Sequence, residues 1–361
     1  MVKQKVATIT FHRARNYGAV LQAVALQKAI IGLGYDSEVI DYDNRKISSC
    51  YDVIQKSSLK IFLFSLFRCS AIKRKNTFFD RFMDKELHKS RKVKKEDLPQ
   101  MEDEYDKFIT GSDQVWNYLL TGSDGAYFLD FVGDRKKKIS YAASFGIGEI
   151  PAEKTAWYRE MLQGFDYISV REATGGRLVK SITCMDSVND LDPVFLLDLP
   201  AWKKIMAGRV PEKKYLFTYM CSEAAMEYAQ KVADEKGLKI INVVYSKSIL
   251  HPEKNVGDCR IDVSPEDFLA YLYHAEYVVT GSFHATAFSI IFNKQFKVGV
   301  PDRVGSRIND LLERTGLQQR VIAAGSSVQE MDVPIAWDSV NGIVAEGRSR
   351  SLANLQRSIE L

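Results

Sequence analysis

The stretch Tyr277-Val278-Val279-Thr280-Gly281-Ser282-Phe283-His284-Ala285-Thr286-Ala287-Phe288-Ser289 carries the reading of the fold. Tyr277 to Thr280 is a short apolar and β-branched run, the form of a buried strand. Apolar residues from Ala287 to Phe292 then recur at helical spacing until Asn293-Lys294. Ser282 between them is the natural N-cap. A strand that runs straight into a helix is one step of an α/β parallel sheet. The helix start offers N–H groups and the positive end of a dipole, which suit phosphate or carboxylate, and it sets His284 beside such an anion. A histidine that merely packs at the start of a buried helix is the alternative.

The same step recurs outward from there. Val6 to Thr10 leads into Phe11-His12-Arg13-Ala14-Arg15-Asn16-Tyr17-Gly18 and a helix from about Ala19 to Ile31, and Val39 to Tyr42 is the next strand. Lys107 to Thr110 leads into Gly111-Ser112-Asp113-Gln114-Val115-Trp116, Ile139 to Ala143 into Ser144-Phe145-Gly146, and Tyr167 to Val170 into Arg171-Glu172. After Pro211 the alternation restarts with Tyr215 to Met220, a helix from about Glu223 to Lys236, and Ile240 to Val244. Ser264-Pro265-Glu266-Asp267 opens the helix before Tyr277, and Gly305 to Arg314 is another helix. The expected fold is α/β with two Rossmann-like domains, residues 1–190 and 191–335, and C-terminal helices over 336–361 packing back on the first. In such sheets the ligand sits beyond the carboxyl ends of the strands.

A chain of 361 residues is comfortable for two domains. With 46% hydrophobic and 27% charged residues it should fold throughout, and a net charge of +4 without a nucleic-acid-binding signature gives no reason to expect nucleic acid. Cys50, Cys69, Cys184, Cys221 and Cys259 have neither metal-site spacing nor the density of a disulfide scaffold, and read as reduced, cytoplasmic thiols. The N-terminus lacks the long apolar region of a signal peptide, and no run reaches transmembrane length. An insertion over about 58–98 is the exception to the alternation. There Ile61 to Phe67 precedes a basic run that includes Lys73, Arg74, Lys75, Arg91, Lys92, Lys94 and Lys95. It reads as a helical pair with a solvated basic face, or, over 58–95, as a peripheral contact with the inner face of a membrane or with a lipid-linked substrate.

Several chemistries lack their residues. No dinucleotide fingerprint follows the first strand, and there is no Walker loop, no nucleophile elbow and no histidine pair at i and i+4. Asp41 and Asp43 have the form of a metal-holding carboxylate pair, although solvated loop carboxylates have the same form. No metal is expected. Arg171 follows a strand directly and could grip an anion bidentately, with an ion pair to Glu172 or another acid as its alternative. Arg303 and Arg307 follow Val298-Gly299-Val300-Pro301, one loop from His284, and suit an anionic ligand. Asp113, Gln114 and Trp116 could orient and stack on a sugar, or be a capping aspartate beside a core tryptophan.

Taken together, Thr10-Phe11-His12, Asn16 to Gln22, Gly111 to Asn117, Tyr141 to Gly146, Ser169-Val170-Arg171-Glu172, Asp192-Pro193-Val194, Ser282-Phe283-His284 and Arg307 to Gly316 resemble the polysaccharide pyruvyl transferases. The resemblance implies a GT-B-like pair of domains with an interdomain active-site cleft. It implies phosphoenolpyruvate as donor substrate, no cofactor, and a saccharide acceptor, lipid-linked or not, in a capsule, exopolysaccharide or cell-wall glycan. It carries over His284 as the catalytic histidine, Arg171 as the catalytic-site arginine that holds the donor and, more loosely, Arg303 as donor-binding. Ser282, Phe283 and Arg307 are read beside them as donor-binding, and Asn16, Tyr17, Gly18, Asp113 and Gln114 as acceptor-binding. Ala285 stands where relatives have glycine. A GT-B glycosyltransferase using a nucleotide sugar and a non-catalytic subunit of a glycan-assembly complex are the alternatives.

Overall fold

The computed structural model describes residues 3–52, 59–206, 214–245, 255–300, 305–323, 328 and 333–361, with the backbone alone for 59–68. Two compact units divide it: 1–51, 83–197 and 344–361 form the first, 52–82 and 198–343 the second. The basic insertion, expected wholly within the first domain, is thus divided between them.

The first unit holds a five-stranded parallel sheet in the order β3-β2-β1-β4-β5, with β1 Lys5–Ile9, β2 Asp36–Tyr42, β3 Lys89–Val93, β4 Lys107–Thr110 and β5 Lys138–Ser140. A short pair, β6 Ser169–Val170 and β7 Val188–Asn189, extends β5 through the single pairings Ile139↔Tyr167 and Ala143↔Val170. Both sheet faces are covered, so the central strands are apolar almost throughout, and neighbouring residues enter different clusters. Ala7 and Phe108 pack with Trp116, Phe128 and Tyr158, while Val6 and Ile109 pack with Leu26, Ile30, Leu355 and Ile359. Leu355 and Ile359 belong to the helix Trp337–Glu360.

The second unit repeats the order as β10-β9-β8-β11-β12, all parallel, with β8 Tyr215–Tyr219, β9 Lys239–Val243, β10 Asp258–Arg260, β11 Tyr277–Thr280 and β12 Phe296–Val298. Helix Glu223–Lys236 has the expected bounds because both signals act. Ser222 accepts the Ala225 N–H at the start, and Gly237 takes the left-handed φ of 62° at the end. Ser264 caps Pro265–His274 in the same way.

In each sheet the chain runs outward one way from the first strand and then returns to its other side. The switch points lie between β1 and β4 and between β8 and β11, the positions at which open α/β sheets place their ligand sites.

Within the second unit the basic segment is anchored rather than free. Arg74 Nε donates to Asp262 at 2.7 Å, and Lys75, 5% exposed, lies over the Tyr245 ring at 4.2 Å from its centroid. Burial pushes the Lys75 ammonium down to about 8 from its ordinary 10.5. The unfolded chain therefore binds this proton more tightly than the folded one. The cost is fully present below about pH 8 and lifts as pH rises towards 10.5. Lys75→Met is expected to raise unfolding stability at pH 7 by about 2–3 kcal/mol, with the gain closing by about pH 10 in denaturant titrations.

Candidate functional site

The turn before His284 is held by close backbone approach. Thr280 Oγ1 donates to the Tyr219 carbonyl at the end of β8 at 2.6 Å and accepts the Ser282 N–H at 3.1 Å, while the Gly281 N–H donates to the same carbonyl at 3.2 Å. A methyl group on Gly281 would overlap the Met220 carbonyl oxygen and stand 3.0 Å from that of Gly299. Gly281→Ala is therefore expected to cost about 1–3 kcal/mol, seen as a lower Tm.

Ser282 then caps the helix Phe283–Ile291. Its Oγ accepts the Ala285 N–H at 3.4 Å, and its carbonyl accepts the Thr286 N–H at 3.0 Å and Oγ1 at 2.9 Å. His284 sits in the first turn, 9% exposed, with its ring edge-on to Phe283 at 5.1 Å. Ala285 is fully buried, so its methyl group packs into the interior. Arg307 is also buried and belongs to the helix Gly305–Arg314, which packs on the His284 helix. Arg303 lies outside the described residues.

The same turn recurs in the first unit. Thr110-Gly111-Ser112 ends β4, the Gly111 N–H donates to the Ile9 carbonyl at the end of β1 at 2.9 Å, and a methyl group on Gly111 would stand 3.1 Å from Thr10 Cβ. A Thr-Gly-Ser triplet thus closes the strand beside the first strand in both sheets. The signal that could have found this pairing is the repeated triplet itself.

Around the first-unit switch point the structure brings together the residues expected to meet an acceptor. Thr10 Oγ1 donates to the Ser112 carbonyl at 2.9 Å and accepts from Gln22 Nε2 at 2.8 Å, tying the two loops. Asn16 caps the helix Tyr17–Gly32, accepting the Gly18 N–H at 3.0 Å, with Tyr17 buried behind it. Asp113 holds a left-handed φ of 76° and accepts the Gln114 N–H at 2.9 Å, and Gln114 Oε1 accepts from Asn117 at 3.1 Å. Trp116 is not at the crevice. It is fully buried, stacked on Phe128 at 5.5 Å with Nε1 donating to the Tyr127 carbonyl.

Arg171, expected to grip an anion, lies buried among carboxylates of its own unit. Nη1 donates to Asp192 Oδ2 at 2.8 Å and Nε stands 3.6 Å from Glu172 Oε2. Asp192 also accepts from Ser112 Oγ at 3.1 Å and from the Val194 N–H at 3.1 Å, and Glu172 accepts from Ser144 Oγ at 2.8 Å. Burial works against the Arg171 charge, but Asp192, Glu172 and Asp113 outweigh it and raise its proton affinity. Asp192, 21 residues along the chain, is the partner that sequence spacing did not reveal.

Asp41, half of the candidate metal pair, is similarly engaged. Its Oδ1 meets His12 Nε2 and Arg13 Nε, each at 2.9 Å. Burial pushes its carboxyl up, yet the hydrogen bonds and charges of His12 and Arg13 hold it well below the usual carboxylate range. The Arg13 guanidinium and the His12 ring are therefore both held on this carboxylate.

A sequence model of the polysaccharide pyruvyl transferase family matches residues 16–296. The chain belongs to this family. Membership implies a transferase acting in polysaccharide pyruvylation. No curated protein matches the sequence. Among solved structures, one described as a UDP-N-acetylglucosamine 2-epimerase from Listeria monocytogenes is similar at TM-score 0.52 and 8% identity, covering 97% of this chain and 91% of the other. Another UDP-N-acetylglucosamine 2-epimerase is similar at TM-score 0.50 and 12% identity, covering 98% and 96%. At such identities the likeness is one of fold, and it agrees with two α/β units of the GT-B kind. Among the described residues no helix is long and apolar enough to cross a membrane.

Proposed function

We propose that this family member transfers the pyruvate group of phosphoenolpyruvate to two hydroxyls of a sugar in a capsule, exopolysaccharide or cell-wall glycan precursor, forming a ketal and releasing phosphate. The observation that carries the reading is His284 in the first turn of a capped helix at the switch point of the second sheet. The helix start favours the donor's negative charge and Arg307, with Arg303, adds cationic charge for its phosphate and carboxylate.

His284 gives a proton to the terminal methylene carbon of phosphoenolpyruvate, leaving C2 electrophilic. One sugar hydroxyl bonds to C2 and loses its proton to the imidazole. The bond from C2 to the phosphate oxygen then breaks, and the second hydroxyl closes the ketal as its proton passes to the departing phosphate, which leaves as hydrogen phosphate. That second attack is intramolecular, which lowers its entropic barrier. In the first unit, Arg171 serves as a positioning residue. Through Asp192 it fixes the Ser112-Asp113 loop that faces the acceptor.

The test is mass spectrometry of a model glycoside incubated with protein and phosphoenolpyruvate. A pyruvate-ketal increment on the sugar, matched by equimolar phosphate, is expected. In a thermal-shift panel, stabilisation by uridine or guanosine diphosphate in place of phosphoenolpyruvate would instead favour a nucleotide-sugar transferase.

A further inference from the structure

The second unit contains a cleft of about 670 Å³ beside the helix Glu223–Lys236, at the carboxyl ends of β8 and β9. Its volume lies in the range of small-ligand sites. Two observations tie it to the His284 turn. Its floor begins at Tyr219 and Met220, whose carbonyls are the ones that meet the Gly281 N–H and crowd the Gly281 Cα. Met220, which lines the cleft, takes a left-handed φ of 56° while 57% exposed, a conformation unfavourable for a non-glycine side chain.

The walls specify a kind of ligand. Tyr245 and Met226 supply apolar faces, Glu227 and Glu223 supply carboxylates, and Gln230 and Asn242 supply amides whose nitrogens also donate within the protein, to Asp234 at 2.8 Å and to the Val256 carbonyl at 3.3 Å. No lysine, arginine or histidine stands among the described lining residues, and the cation that borders them is Lys75, whose ammonium lies over the Tyr245 ring at 4.2 Å. A carboxylate accepts two hydroxyl hydrogens at once, an amide both donates and accepts, and an aromatic ring covers the C–H face of a pyranose. The same carboxylates disfavour phosphate. Phosphoenolpyruvate and nucleoside diphosphates are therefore poor occupants, whereas an uncharged sugar ring matches each wall.

We infer that this cleft is a subsite for neutral sugar rings of the acceptor glycan, lying one strand from His284. As an acceptor subsite it rests on the pyruvyl-transfer reading above. It places acceptor recognition in the second unit as well as around Asp113 and Asn16 of the first.

Saturation-transfer NMR on the full chain tests it, with methyl β-D-galactopyranoside, methyl β-D-glucopyranoside and methyl α-D-mannopyranoside as probes and uridine monophosphate as competitor. At least one glycoside should receive saturation, and the signal should fall at least about fivefold in Glu227→Ala and in Met226→Trp, which fills the cleft. His284→Ala should keep it. No Glu227-dependent signal from any of the three, or displacement of the sugar by uridine monophosphate, overturns the inference. In turnover, Glu227→Ala should raise the acceptor KM about tenfold to a hundredfold and leave the phosphoenolpyruvate KM in place, the size expected for a hydrogen bond to a charged group. An unchanged acceptor KM in an active enzyme sinks the subsite and spares the transfer reading. A Glu227-dependent sugar signal in a protein that never consumes phosphoenolpyruvate does the reverse.

Discussion

His284→Ala is expected to lower kcat/KM for acceptor-dependent phosphate release from phosphoenolpyruvate by roughly a hundredfold to ten-thousandfold, the usual worth of a positioned proton donor. The loss should fall on kcat, because the donor's charge is met by the helix start and by arginine, neither of which the substitution removes. His284→Gln retains a hydrogen-bonding side chain but no titrating group, and should be as slow. Ser282 caps the helix independently of the imidazole, so the variant should keep its fold and its thermal stabilisation by phosphoenolpyruvate. Phosphate release near the parent rate in His284→Ala would reject the proposed chemistry outright.

Asp192→Ala should have the largest effect on stability. It removes the carboxylate that meets the Arg171 guanidinium at 2.8 Å, leaving a buried cation with Glu172 at 3.6 Å. Breaking one side of such a pair costs about 3–5 kcal/mol, or on the order of 10 °C in Tm. It also releases Ser112 Oγ and the Val194 N–H, so the loop carrying Asp113 loses one of its anchors and keeps the bond from Thr10 Oγ1 to the Ser112 carbonyl. A rise in acceptor KM beyond what the lower Tm explains would separate positioning from simple support. Arg171→Met with Asp192→Leu should recover much of the stability, because it removes both charges, but not the acceptor KM. Equal Tm values for Asp192→Ala and the parent would show that the pair contributes nothing.

The elements legible in the sequence were those with strong local signals. Tyr277 to Thr280 is apolar or β-branched and buried throughout, Ser222 and Ser264 cap their helices, and Gly237 ends one. The edge strands β3 and β10 were not legible. Their sequences, Lys89-Ser-Arg-Lys-Val93 and Asp258-Cys-Arg260, are mostly polar, as suits short edge strands that must not recruit another chain, and they carry no apolar pattern to read. Of the insertion read as a helical pair, the described residues hold one α-helix, Leu59–Glu86, followed by β3 and the start of a 3₁₀ helix at Lys95. At the site, sequence order located the strand ends but not their long-range partners. Glu172 beside Arg171 was visible, whereas Asp192 became its partner only through the folding of β6 and β7. Asp41 looked like one of a metal pair because its neighbour Asp43 was visible, while His12, which binds it, lies 29 residues away.

The paired Thr-Gly-Ser turns show how one backbone device can be given two electrical characters. In both units the triplet closes the same strand with the same hydrogen bond to the end of the first strand. The residue after the triplet makes the difference. Phe283 enters a nine-residue helix, so the aligned peptide dipoles behind it turn that strand end into a positive pole. Asp113 swings left-handed instead, no helix starts there, the next one being the single turn Tyr118–Thr121, and the strand end keeps a carboxylate. Two scaffolds alike in topology thereby end the corresponding strand with opposite local charge.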